Sequence, residues 1–184
     1  MSRRAAVSAV LVVLVEAWLY AEYSELDAQF HFWLHALLGA ALGLAALTVL
    51  RLVRTARRSR SPGGGAAPWV SGLAGHLYSA LPDVLFLGVG VLHMLWMDVF
   101  AFHITIHFVP APLLTMLAVF VLTLAAYGLA MSARRLAAAG ALVAATGAVA
   151  TALALAGPVP DDVQDLLVDR GVALCPVDGS GHRH

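Results

Sequence analysis

The chain has 184 residues, of which 61% are hydrophobic and only 12% charged, and its mean hydropathy is +0.85. This composition excludes an ordinary soluble globule and predicts a polytopic membrane protein. The formal net charge is zero, so no overall basic field points to a nucleic-acid partner.

Five apolar segments have roughly the length that a helix needs to cross about 30 Å of hydrocarbon. They cover residues 5–21, 29–50, 83–102, 111–131 and 136–156. A signal peptide would also begin with a basic pair and a short apolar run, but Glu16 interrupts the first segment and no A-x-A cleavage site follows it. We therefore expect an all-α membrane helical bundle of about five spans in residues 1–157, followed by a polar, loosely ordered tail in residues 158–184.

Two stretches between the spans are less regular. Residues 69–81 are apolar but short and end at Pro82, which predicts a partial or interfacial helix rather than a crossing. The preceding RLVRTARRSRSPGGGAAP combines five arginines with glycines, as is typical of a flexible cytoplasmic loop. The single cysteine, Cys175, can form no internal disulfide.

The arginines predict an orientation in the cell membrane. With five spans and a cytoplasmic amino terminus, nine of the eleven basic residues fall on the inner side, and the carboxyl terminus lies outside. Under this topology five polar residues of the spans come out near the outer face. They are Glu16, His31, His35, His103 and His107.

The four histidines form two pairs, and each pair has a spacing of four residues. Such partners lie on one side of a helix about 6 Å apart along its axis, so that both imidazoles can reach one ion. Two pairs at one depth predict a site for a divalent transition metal, zinc or copper, with Glu16 as an oxygen ligand or as an acceptor for an imidazole N–H. The alternative is that the histidines are solvated in the headgroup region without a ligand.

Deeper polar residues need another explanation. On a regular helix His93 lies about 21 Å from His107, so it needs a second metal site, a proton path or a hydrogen bond between helices. Asp98 either pairs with another helix or marks a break in its own. Met94 and Met97 would favour copper(I) if they faced a site, but methionines also fill helix cores.

With these residues in view, HALLGAALGL, ALPDVLF and FHITIHFVPA resemble, in this order, the motifs of the integral-membrane metal-dependent hydrolase-like family. The resemblance implies His35, Asp83, His103 and His107 as metal ligands. Val84 and Leu85 stand where the family has a second aspartate after PD, and Phe108 stands where it has a serine. A regular helix would hold Asp83 about 30 Å from His103, so an unbroken third span excludes this carboxylate from the ion.

A second stretch, HITIHFVPAPLL, resembles copper-insertion proteins of cytochrome oxidase assembly. The residues and the resemblances leave three functions open. The first is hydrolysis of a lipid-linked ester or phosphoester by a metal-bound water, with Asp98 or Glu16 as the base. The second is a carrier or assembly protein for copper or haem. The third is an accessory membrane subunit whose histidines only pack, in a homo-oligomer or a larger complex.

Overall fold

The computed structural model describes residues 3–26, 28–56, 67–89 and 95–158. In these ranges the chain is helical and has no strand. The α-helices are α1 (Arg3–Glu25), α2 (Gln29–Ala56), α3 (Pro68–Ser79), α4 (Leu81–Val89), α5 (Pro112–Met131) and α6 (Arg135–Ala154). Two short 3-10 helices, Leu95–Val99 and Thr105–Phe108, lie between α4 and α5. The predicted all-α architecture is confirmed.

Helix α2 is the centre of the bundle and lies against α3 and α5. It runs antiparallel to α3, because Gly39 lies opposite Gly75 and Gly43 opposite Ser71. A Cβ on Gly43 would lie 1.8 Å from the carbonyl oxygen of Ser71, so only glycine permits this approach. Small residues spaced four apart let helix backbones pack this closely in membranes. The contact fixes the position of α3 along α2.

Helices α3 and α4 form one bent unit. Their axes differ by 56° across a break at Ala80, and Pro82, in the first turn of α4, supplies no backbone N–H. This bend matches the expectation that residues 69–81 do not form a straight crossing on their own. It also brings Asp83 close to His35, because α3 ends at Ser79 beside His35 and α4 begins directly after it.

The predicted single helix over residues 83–102 is wrong. Helix α4 ends at Val89, and residues 95–108 form two 3-10 turns joined by a compact loop. In that loop Ala101 and Phe102 have φ angles of +62° and +56°, in the left-handed region that L-residues rarely adopt. Two consecutive left-handed residues are incompatible with an α-helix and turn the chain back toward α2.

A buried apolar core joins this loop to the rest of the bundle. It contains residues of α2, the loop, α5 and α6: Leu34, Leu38, Ala101, Ile106, Val109, Met116 and Ala152. A second core joins α1 to α2 and the start of α4 and contains Leu19, Tyr23, Ala28 and Ala80.

In the described residues three helices, α2, α5 and α6, are long and apolar enough to cross a membrane. The bent pair α3–α4 would make a fourth span if it counts as one. These helices expose leucines and valines on their outer surfaces, as lipid-facing helices do. They are consistent with the predicted membrane protein. The number of five spans and the orientation stay predictions.

Candidate metal centre

Four ionisable side chains meet at the amino-terminal end of α2. They are His31, His35, Asp83 and His103, and one nitrogen or oxygen atom of each lies within 4.8 Å of the others. None is more than 2% exposed. Because ionisable groups are expensive inside a bilayer, a buried group of four implies a ligand or a chemical role. Three neutral imidazoles and one carboxylate carry a charge of −1, which suits a cation.

Three chain segments contribute to the cluster, and a different backbone feature positions each of them. His31 and His35 are one turn apart on α2, and their ring centroids are 5.2 Å apart. Asp83 lies in the first turn of α4, just past the bend. His103 follows the two left-handed residues of the loop. The structure therefore brings together three of the four predicted imidazoles and Asp83, the ligand that the family resemblance implies and that an unbroken helix would have excluded.

Asp83 lies at the middle of the cluster. Its Oδ1 is 3.1 Å from Nε2 of His103 and 4.0 Å from Nε2 of His31, and its Oδ2 is 3.8 Å from Nε2 of His35. Ligands at about 2.0–2.2 Å from a tetrahedral zinc ion are about 3.3–3.5 Å apart. The observed separations bracket this value, so the four side chains could hold one metal ion after small rotations.

Ser79, the last residue of α3, contacts two of the imidazoles from the opposite side. Nδ1 of His103 donates to its backbone carbonyl oxygen at 3.0 Å, and Nδ1 of His35 lies 3.2 Å from its hydroxyl. Metal-binding histidines commonly use their second ring nitrogen in this way, which fixes the tautomer and the ring orientation. Nothing in the sequence around Ser79 pointed to this role, because it depends on the register of α3 against α2.

The contact of His103 with the carbonyl constrains its protonation. A carbonyl oxygen can only accept, so the hydrogen of a neutral His103 lies on Nδ1 and its lone pair points from Nε2 toward Asp83. A lone pair 3.1 Å from a carboxylate oxygen is repulsive in a buried site. A metal ion between the two groups would remove this repulsion.

His107 adjoins the cluster but is not one of its four members. Its ring stacks on that of His31 with centroids 4.1 Å apart and lies 5.5 Å from the ring of His35. At 9% it is more exposed than the other histidines at the site. It therefore adjoins the cluster on the side of His31.

The predicted base Asp98 stabilises the loop. Its Oδ1 accepts from the backbone N–H groups of Ile104 and Thr105 at 2.7 and 3.1 Å, and its Oδ2 accepts from the hydroxyl of Thr105. These bonds hold the turn that presents His103 to the cluster. Asp98 therefore marks the break in the third predicted span, one of the two roles expected for it.

The other predicted base, Glu16, lies in a second buried pair. Its Oε2 is 2.5 Å from Nδ1 of His76, and this pair joins α1 to α3. Glu16 is not among the four clustered side chains. The ring of Phe32 packs edge-on against His76.

Three residues singled out in the sequence, His93, Met94 and Cys175, lie outside the described part of the chain. Met97 is described and is completely buried in the first 3-10 helix.

Fold and site together describe a helical protein with membrane-length helices and a buried His/Asp cluster that could hold a metal ion. In comparisons with known proteins, no family model, no curated protein and no solved structure matches the sequence.

Proposed function

We propose that the protein binds one divalent transition metal, zinc, at His31, His35, Asp83 and His103 and hydrolyses a lipid-linked ester or phosphoester at the membrane. The observation that carries the proposal is the convergence of three buried imidazoles on one buried carboxylate, with Ser79 orienting two of the rings. Such a cluster would be strongly destabilising without a cation, because burial of a charged group far from water is expensive.

The donor set favours zinc over copper(I). Imidazole nitrogens and a carboxylate oxygen are common zinc ligands, whereas copper(I) prefers thiolates and thioethers. Two histidines can also ligate haem, but the rings of His35 and His103 stack with centroids 4.1 Å apart, which leaves no space for a macrocycle between them.

Different residues of the chain would orient the ligands and transfer the proton during hydrolysis. Zinc held by these side chains would supply a water of lowered pKa and polarise a substrate oxygen once one of the four side chains gave its place to water. Ser79 holds the imidazoles of His35 and His103 in the orientation that directs Nε2 to the ion. His107 lies next to the cluster and is not one of the four proposed ligands. We therefore assign it the proton transfer. Asp98 and Glu16 are engaged elsewhere and take no part.

The proposal is tested by elemental analysis and an optical spectrum on protein purified without a histidine tag. We expect about one zinc per chain and no Soret band. His35→Ala and Asp83→Asn should both lose the metal, whereas His76→Gln, a matched change at a buried histidine outside the cluster, should keep it. Full metal content in both ligand variants would contradict the site, and a metal-free wild type would favour a purely structural role.

Hydrolysis is tested separately, with a chromogenic phosphodiester and a phospholipid as substrates. His107→Gln should retain zinc and lose activity, because it removes proton transfer and leaves the four ligands. Loss of zinc in this variant would make His107 a ligand. Zinc-loaded wild type without activity on esters or phosphoesters would overturn the hydrolase assignment but not the metal site.

A further inference from the structure

A groove runs between α2 and α3. It has a volume of about 540 Å³, within the range typical of ligand sites, and its walls include Gly43, Leu47, Ser71 and Ala74. It is open to the surroundings, which for membrane-length helices means open to lipid.

The groove has the length of one leaflet. Along α2 it extends from Leu42 to Arg54, about 18 Å at 1.5 Å per residue, and half of a hydrocarbon core is about 15 Å. On α2 the groove begins at Leu42, seven residues beyond His35, and on α3 its lining reaches Tyr78, the residue before Ser79. Its far end therefore reaches the opposite headgroup region.

The charge at that end is positive. Arg54 lines the groove in the last turn of α2, is exposed, and has no carboxylate partner within the described residues. The remainder of the groove lining that the structure describes is apolar except for Ser71 and Tyr78. An apolar channel of one-leaflet length with an arginine at the headgroup level is complementary to a phospholipid with an anionic headgroup.

We infer that the α2–α3 groove is a binding site for one anionic phospholipid, with an acyl chain along Leu47 and Ala74 and the phosphate at Arg54. The positive-inside count assigns this lipid to the inner leaflet. Guanidinium binds phosphate through paired N–H donors, which gives the site a preference beyond simple partitioning. The site is separate from the proposed metal centre, since Arg54 lies about 28 Å from His35 along α2.

The test uses the full chain in detergent and native mass spectrometry with added phosphatidylglycerol or phosphatidylcholine of identical acyl chains. We expect the wild type to retain phosphatidylglycerol about fivefold more strongly, the effect of about one basic residue at the membrane surface. Arg54→Gln should abolish this preference. Arg135→Gln is the matched control, because Arg135 is also exposed and predicted on the inner side but lines no part of this groove.

A second variant tests the apolar part. Ala46 and Ala74 are exposed in the groove, so Ala46→Leu with Ala74→Leu fills it without disturbing a buried contact. Retention of both lipids should fall.

Equal retention of the two lipids by the wild type, or equal losses in Arg54→Gln and Arg135→Gln, would overturn the inference. A dimer that disappears in the double leucine variant would assign the groove to a second copy of the chain instead. All variants should keep the metal content of the wild type, so this inference can fail independently of the proposed function.

Discussion

Substitution of Gly75 by alanine tests whether the close α2–α3 contact holds the metal centre together. A Cβ at this position would lie 1.9 Å from the carbonyl oxygen of Gly39, a backbone atom that cannot rotate away. An ordinary contact begins at 3.4 Å, so the helices must separate locally by about 1.5 Å. Ser79, one turn along α3, would move with the helix.

This shift is large compared with the tolerance of a metal site, whose ligand distances must be correct to about 0.2 Å. We expect zinc affinity to fall at least tenfold, as it does when supporting contacts of ligands are lost. Overpacking of this kind also destabilises by about 1–3 kcal/mol. Affinity is measured by competition with a chromogenic zinc chelator, and stability by thermal unfolding in detergent.

Two other glycines provide controls. A Cβ on Gly72, also in α3, would meet Ala40 at an ordinary 3.8 Å, and one on Gly140 in α6 has no atom within 4 Å. Both alanine variants should bind zinc as the wild type does. If Gly75→Ala also keeps wild-type affinity and stability, the close contact does not position the site and the reasoning is refuted.

Four further outcomes follow from the contacts. Ser79→Ala should weaken zinc binding by about tenfold, since it removes the hydroxyl beside His35 but leaves the carbonyl, and an unchanged affinity would show that the hydroxyl does not orient the ring. Asp98→Ala should accelerate amide hydrogen exchange in residues 102–107, whereas Asp98→Asn, which keeps an acceptor, should do so less. Glu16→Ala should lower stability by about 1–3 kcal/mol without loss of zinc, because it leaves a buried histidine without its carboxylate. Lowering the pH from 7.5 to 5 should release zinc reversibly, since protons compete for imidazole nitrogens, and full retention at pH 5 would contradict a histidine-ligated ion.

The sequence by itself determined the helical class, the membrane character and the histidines to consider. These depend on local properties: apolar length decides whether a helix can span, and a spacing of four places two imidazoles on one helix side. His31, His35 and His103 were therefore identified from the sequence, and the likeness to membrane hydrolases added Asp83.

Only the tertiary structure decided which of these side chains meet. Length and hydropathy predicted one straight helix through residues 83–102, but they cannot reveal a bend at Ala80 or two left-handed residues at Ala101 and Phe102. That backbone is unfavourable locally by about 1–2 kcal/mol per residue, and it is stabilised by contacts from distant parts of the chain, including the core that buries Ala101. The role of Ser79 was equally hidden, because it depends on how closely α3 approaches α2. A sequence pattern reflects the conformation that each segment prefers by itself. The site depends on backbone conformations that tertiary packing stabilises against those local preferences.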